Sequence, residues 1–506
     1  MSDLLGANTD VLDRVAESLR GDAQRMQDIR TLAQRAVAEL QAVWNGPDLL
    51  HLTRQWEQDA SPRLADASVS LDTCAAQLSG QSAAQRRASG TDGAGSGVSS
   101  GGSAARVALG LPLLAGPGAS TTTAPASSPP KNASPKNNAT WWKSLSPQQQ
   151  QQVIDDHPDW IGNRDGVAFA ATDQANRALL STYRTNLLAE QSRLEHDLDD
   201  SWFEGTFTND DARLDHVNDK LASLIAIETT LAKTGDRQLL LLDLSAERAQ
   251  AAIARGDVDT ADNVAVFVPG LDSNVSSSMV SSDNSMEQLQ RRTEVESRRA
   301  GTDQSAATVT WIGYQAPQMG WDLLGDNSVA DDHAAEKGAA QLVPFLQGIG
   351  AARHHDAHLT LLGHSYGSTT AGLALRQNTG VDEAVFFGSP GIGTNHVEEL
   401  LVPKGHTYYI EARDDVVGDL GYFGIDPSHI DGIEHASAKD ATVVDPLTGE
   451  VRHFKEVTGH SSYLVDQSTS QYNMSVVAAG LPGRRVYDSG EGVGDVLSWP
   501  VPGTYR

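Results

Sequence analysis

Cysteine is almost missing from this chain of 506 residues: Cys74 stands alone. An intrachain disulfide and a cysteine-based zinc cluster are thereby excluded, since each needs at least two thiols. Positive charge is also scarce. Lys and Arg number 38 against 66 Asp and Glu, a formal net charge of −28, and such a field repels phosphate backbones and anionic headgroups, so nucleic-acid binding is not expected. Long apolar runs are lacking as well; Val107 to Ala115 and Leu239 to Leu242 fall well short of the ~20 residues a spanning helix needs, and no transmembrane segment is predicted. The opening MSDLLGANTD has no basic stretch leading into an apolar one, so a cleavable secretion signal is not expected. What is present suffices for folding. Hydrophobic residues make up 39% and charged residues 21%, and the length allows about three domains with at least one large core.

Three zones follow one another. In residues 1–80 apolar positions recur at helical spacing, first through Val11, Val15, Leu19, Ile29, Leu32 and Leu40. After a break at Asn45-Gly46-Pro47, Asp48 can cap a second helix carrying Leu49, Leu52, Trp56, Leu64, Leu71 and Leu78. Two helices joined by a tight turn form an antiparallel hairpin, whose apolar seam calls for a partner hairpin, another domain or self-association. Residues 81–140 turn to Gly, Ser, Ala, Thr and Pro, a composition too poor in apolar side chains to offset chain entropy, and are expected to be a disordered linker. Order is expected again from Trp141-Trp142. Ser146-Pro147 reads as the cap and first position of a short helix closed by His157-Pro158, and residues 173–198 and 210–233 follow as helical patterns, so 141–236 is expected to be a helical region. From 237 to 506, strands such as Leu239–Leu242, Gln250–Ala254 and Val264–Val268 give way to alternating strand and helix, the pattern of an α/β fold with a mainly parallel sheet.

The strongest chemical signal is Gly363-His364-Ser365-Tyr366-Gly367, preceded by the apolar Leu359-Thr-Leu-Leu and followed by small residues at helical spacing. A Gly-x-Ser-x-Gly turn between a strand and a helix is a nucleophile elbow: the glycines relieve collisions of the sharp turn, and the serine hydroxyl is lifted above the sheet edge. Ser365 is the expected nucleophile. Its partners should follow in the chain order acid, then histidine. The strand His406–Arg413 ends in Asp414-Asp415-Val416-Val417; in the Asp-x-Val pattern Asp414 is the expected acid, with Asp415 as the alternative. Among downstream histidines, His453 lies on an alternating stretch, Val451–Val457, that reads as a final strand. His460 sits in a loop leading to a capped helix and is the expected base. Upstream, the strand Val264–Val268 runs into Pro269-Gly270-Leu271, and the amides of Leu271 and Tyr366 are the expected oxyanion donors. No cofactor and no metal are called for by this set.

Several of these stretches together resemble a known family. Trp141-Trp142, His157-Pro-Asp-Trp-Ile-Gly162, Val268-Pro-Gly270, Trp311-Ile-Gly-Tyr314, Gly363-His-Ser-Tyr-Gly367, Gly388-Ser-Pro-Gly391 and Gly459-His460 are similar to the actinobacterial α/β-hydrolase family long catalogued as a domain of unknown function. The resemblance spans residues 141 to about 464 and implies a serine-hydrolase fold with a helical region ahead of the sheet. The Gly-Ser-Pro strand end also resembles lipases and cutinases, which implies esters as substrates. Separately, Trp44-Asn45-Gly46 resembles the Trp-x-Gly turn of the helical hairpins exported by type VII secretion systems. That resemblance implies either a cytoplasmic protein or one exported by such a route without a cleaved signal.

The expected whole is a helical hairpin, a linker and an α/β-hydrolase acting on a small-molecule or lipid ester. Residues 273–299 and 315–333 are placed to shape the pocket or cover it. Asp322, Asp326, Asp331 and Asp332 lack the spacing of a calcium loop and read as a solvated loop. Two other functions stay open on sequence alone: a secreted effector acting on lipid or cell wall, and a binding protein that keeps the fold without catalysis.

Overall fold

The computed structural model describes residues 127–204, 210–318, 333–415, 417, 425–488 and 496–497, together with single positions between 16 and 86. The chain divides into two compact units, Met1–Gly118 and Ala119–Arg506. In the first, the described positions are helical. Gln27 donates to the Ser68 hydroxyl at 3.0 Å and Arg20 to the Ser79 hydroxyl at 2.7 Å. The Trp44-Asn45-Gly46 turn, residues 87–126 and the acids from Asp322 to Asp332 lie outside the described residues.

Regular structure in the second unit begins earlier than composition suggests. Helix α1 (Pro135–Ser144) starts inside the stretch expected to be linker. Ser134 caps it by accepting from the Asn137 amide, Pro135 fills the first position, and Asn138 and Ala139 are buried. The linker cannot therefore extend to residue 140; capping and burial outweigh a weak local composition. Helix α2 (Pro147–Asp156) opens with a reciprocal capping box between Ser146 and Gln149. The long helices α3 (Phe169–Glu204) and α4 (Asp210–Leu231) bury Leu180, Leu187, Leu194, Leu224 and Ile227 in one cluster with the first two strands.

Eight strands form the main sheet: β1 (Arg237–Asp243), β2 (Gln250–Arg255), β3 (Asn263–Val268), β4 (Ala306–Ile312), β5 (His358–His364), β6 (Glu383–Phe387), β7 (Thr407–Ile410) and β8 (Glu434–Ala436). Their order is β1-β2-β4-β3-β5-β6-β7-β8, and β2 alone runs against its neighbours. Helices α5 (Val275–Ala300), α6 (His333–Ala352), α7 (Tyr366–Leu375) and α8 (Thr469–Ala478) cover the two faces. Alternation along β3 shows how: Val264, Val266 and Val268 join the cluster containing Leu342 and Leu346 of α6, whereas Ala265 and Phe267 join the one containing Met286 of α5 and Met474 of α8. A strand buried on both faces reads as a near-continuous apolar run, as β3 does from Val264 to Val268.

The stretch read as a final strand is confirmed as a strand but not as part of this sheet. β10 (Val451–Phe454) pairs antiparallel with β9 (Ala441–Val444), and β9 pairs with β11 (Val496–Leu497) in a separate three-stranded sheet. Asp445 stabilises the tight turn before β10 by accepting from the Leu447 and Thr448 amides. A short hairpin closes at small entropic cost, so β10 pairs with its sequence neighbour. No described helix is long and apolar enough to cross a membrane.

Candidate active site

Strand β5 delivers Ser365 to the carboxyl edge of the sheet, and α7 begins at the next residue. Ser365 has φ 53° and ψ −133°, a backbone conformation rare for a non-glycine residue. Such a residue costs on the order of 1–3 kcal/mol and persists only where its surroundings hold it. Here the Ser365 amide donates to the Phe387 carbonyl at 3.1 Å, and the Ser368 hydroxyl donates to the Ser365 carbonyl at 2.5 Å. The flanking glycines are required by space. A Cβ on Gly363 would stand 2.7 Å from the Ser368 Cα, and one on Gly367 would collide with the Val268 carbonyl oxygen. Pro269-Gly270 approaches so closely that a Cβ on Gly270 would lie 2.6 Å from the Ser365 Cβ.

Opposite the serine, the loop between β10 and α8 carries His460. Its Nδ1 lies 3.0 and 3.1 Å from the two carboxylate oxygens of Asp415. Asp414, the expected acid, is not the partner. It adopts φ 63°, and its side chain is 77% exposed beside Arg413. That left-handed residue turns the chain so that the next side chain, Asp415, points inward and is buried. The Asp415 carboxylate also accepts from the Tyr463 hydroxyl at 2.6 Å and from the Val417 amide at 3.0 Å. Burial alone would raise its pKa; the hydrogen bonds from His460 and Tyr463 outweigh that and hold it below the usual carboxylate range. Tyr463 in turn accepts from the Ala412 amide at 2.9 Å, tying the His460 loop to the end of β7. Gly388 makes the meeting of these groups feasible: with φ 54°, a Cβ there would stand 2.8 Å from Asp415 Oδ2 and 3.2 Å from His460 Cε1.

His364 completes the arrangement. Its Nε2 is 2.9 Å from the His460 carbonyl oxygen, and the two imidazole rings lie 4.8 Å apart. Burial, with the His460 ring adding to it, lowers the His364 pKa to about 4, so this imidazole is neutral at neutral pH and donates Nε2–H. Ser365, His460, Leu271 and Tyr366 line one cavity of about 660 Å³. Among the described residues the Leu271 amide has no hydrogen-bond partner, and no direct hydrogen bond joins the Ser365 hydroxyl to the imidazole. The Leu271 loop is fixed from behind: the buried Tyr314 hydroxyl donates to the Pro269 carbonyl at 2.7 Å, and the Asp272 amide to the Pro317 carbonyl at 2.9 Å. His453 lies elsewhere, its Nδ1 2.9 Å from the Thr442 hydroxyl in the small sheet. Tyr463 and His364 carry roles that sequence reasoning missed. The only signals were the three-residue spacing of Tyr463 from His460 and the place of His364 inside the elbow.

A mainly parallel sheet with a strained serine at a strand-to-helix elbow, lining one cavity with a carboxylate-held histidine, defines the α/β-hydrolase fold. Residues 245–425 match the alpha/beta hydrolase family. Uncharacterized proteins of Mycobacterium bovis and Mycobacterium tuberculosis are 36% identical over 243 residues, which is 46% of this chain and 88% of theirs. The chain belongs to this alpha/beta hydrolase family. Among solved structures, an esterase from Pyrobaculum calidifontis aligns with a TM-score of 0.30 and 12% identity, over 54% of this chain and 93% of its own.

Proposed function

We propose that the chain is a serine hydrolase that cleaves a carboxylic ester through an acyl-enzyme intermediate. The observation that carries this reading is the His460–Asp415 hydrogen bond at the rim of the cavity into which the Ser365 elbow opens. Ser365 Oγ attacks the acyl carbonyl carbon while His460 Nε2 takes the hydroxyl proton. The Leu271 and Tyr366 amides receive the oxyanion, and collapse of the tetrahedral intermediate expels the alcohol, which leaves with the proton from His460. Water then repeats the sequence on the acyl-serine, giving the carboxylic acid and free serine. Asp415 holds the imidazole in the tautomer that leaves Nε2 free to accept. In unliganded enzymes the serine–histidine hydrogen bond is often long and tightens with substrate in place, which fits a cavity that both residues line without one. A fluorophosphonate probe is expected to label the wild type and not Ser365→Ala, and p-nitrophenyl esters of graded chain length to be hydrolysed by the wild type alone. No labelling together with no ester turnover overturns the proposal.

A further inference from the structure

One wall of the cavity has a composition that the chemistry above does not use. Helix α5 presents Ser278, Ser281, Ser282 and Ser285 to it, positions spaced +3, +4 and +7 and therefore on one helical face. Elsewhere the same helix meets the core through apolar side chains, Val275 and Met279 with α3 and α4 and Met286 and Leu289 with α8, and through buried polar ones such as Asp283, which pairs with Arg237. These hydroxyls are incompletely used. Ser281 and Ser285 each donate to a backbone carbonyl of their own helix, which leaves their acceptor lone pairs open. Among the described residues the Ser282 hydroxyl has no hydrogen-bond partner, and neither has the hydroxyl of Ser273, a residue that lines the same cavity, is only 8% exposed and donates its amide to the Gly270 carbonyl. With no partner among the described residues, these hydroxyls stay open to a hydroxyl group bound in the cavity, which can both donate to them and accept from them.

Position and charge narrow what would bind. Met286 and Leu289 of α5 share a cluster with Tyr463 and the partly buried Leu464, so the serine face lies on the side of the sheet that carries His460. His460 returns its proton to the departing alcohol, and the alcohol part of the ester therefore lies on that side. No Lys or Arg lines the cavity among the described residues, while Asp272 does. A phosphate or carboxylate would meet no compensating charge; a neutral hydroxyl, which both donates and accepts, matches serine hydroxyls on both counts.

We propose that Ser273 and the α5 serines form a subsite selecting esters whose alcohol bears neighbouring hydroxyl groups, of the glycerol or sugar kind; this rests on the serine-hydrolase reading. The test compares glyceryl monobutyrate with propyl butyrate, which share an acyl group and a three-carbon alcohol and differ by two hydroxyls. The wild type is expected to favour the glyceryl ester at least tenfold in kcat/KM, chiefly through KM, and Ser273→Ala/Ser282→Ala to cut that ratio below about threefold. Ser282→Thr, which keeps a hydroxyl, is expected to retain most of it. Equal kcat/KM for the two esters in the wild type overturns the proposal, as does a ratio that survives in the double variant. Calorimetric binding of both esters to Ser365→Ala separates the two claims. If no ester is turned over and no fluorophosphonate label appears, the hydrolase reading fails on its own. The subsite then stands on tighter glyceryl-ester binding that the two alanines abolish, and falls on equal binding of the two esters.

Discussion

At the scale of single residues, two adjacent aspartates receive opposite environments from one dihedral angle. Asp414 turns left-handed and faces solvent, and Asp415 is buried against His460. Asp415→Asn is expected to lower kcat/KM by about 10²–10⁴, because the amide favours the wrong imidazole tautomer, whereas Asp414→Asn should stay within about threefold. Steady-state kinetics on a short-chain p-nitrophenyl ester decides between them. His364 makes a prediction with a pH sign. Its folded-state pKa is lowered to about 4 from an ordinary value near 6.5, so between those values the unfolded chain binds the extra proton and stability falls as the pH drops. Across that window the contribution lost is on the order of 3 kcal/mol. Urea denaturation at several pH values should show the stability of the wild type falling relative to His364→Phe between pH 6.5 and 4. A constant difference would mean that this imidazole is not held neutral by burial. The aspartate pair also marks where residue-level reading stops: the sequence narrows the acid to two neighbours, but which one turns inward depends on a backbone angle that the contacts of β7 and the His460 loop impose.

At the scale of elements, the active geometry depends on three chain segments approaching more closely than side chains would allow. The Pro269-Gly270 loop rests against Ser365, Gly367 against the end of β3, and Gly388 against Asp415 and His460. Gly270→Ala is therefore expected to push the Leu271 amide outward, with a loss of about 10²-fold in kcat and a smaller change in KM, and to destabilise the fold by roughly 1–3 kcal/mol. Kinetics paired with thermal unfolding checks both, and an unchanged kcat would dissociate that loop from the oxyanion. Elements with strong local signals were legible beforehand: β3 from its unbroken apolar run, α2 from its Ser146-Pro147 cap, the elbow from its glycines. The start of α1 was not, because its burial against the rest of the domain leaves no mark in a Pro- and Asn-rich stretch. Nor was the pairing of β10, since alternation shows that a segment is a strand and says nothing of which sheet receives it.

For the molecule as a whole, the formal charge of −28 acts on substrates before they reach the cavity. Esters bearing a carboxylate should be disfavoured at low ionic strength, and their kcat/KM should rise several-fold between roughly 10 and 200 mM salt as the field is screened, while neutral esters respond little. A parallel salt series on one neutral and one anionic ester of the same acyl length measures this; identical responses would show that the field at the cavity mouth is set locally. The amino-acid order by itself determined the strand and helix periods, the Gly-x-Ser-x-Gly elbow and the placing of His460 in a loop between β10 and a capped helix, because each rests on spacing along a few neighbouring residues. The choice of Asp415, the support given by Tyr463 and His364, and the hydroxyl wall of α5 were decided only in three dimensions. They arise where segments distant in the chain meet, and only sheet register, crossover packing and backbone turns set which side chains then face one another.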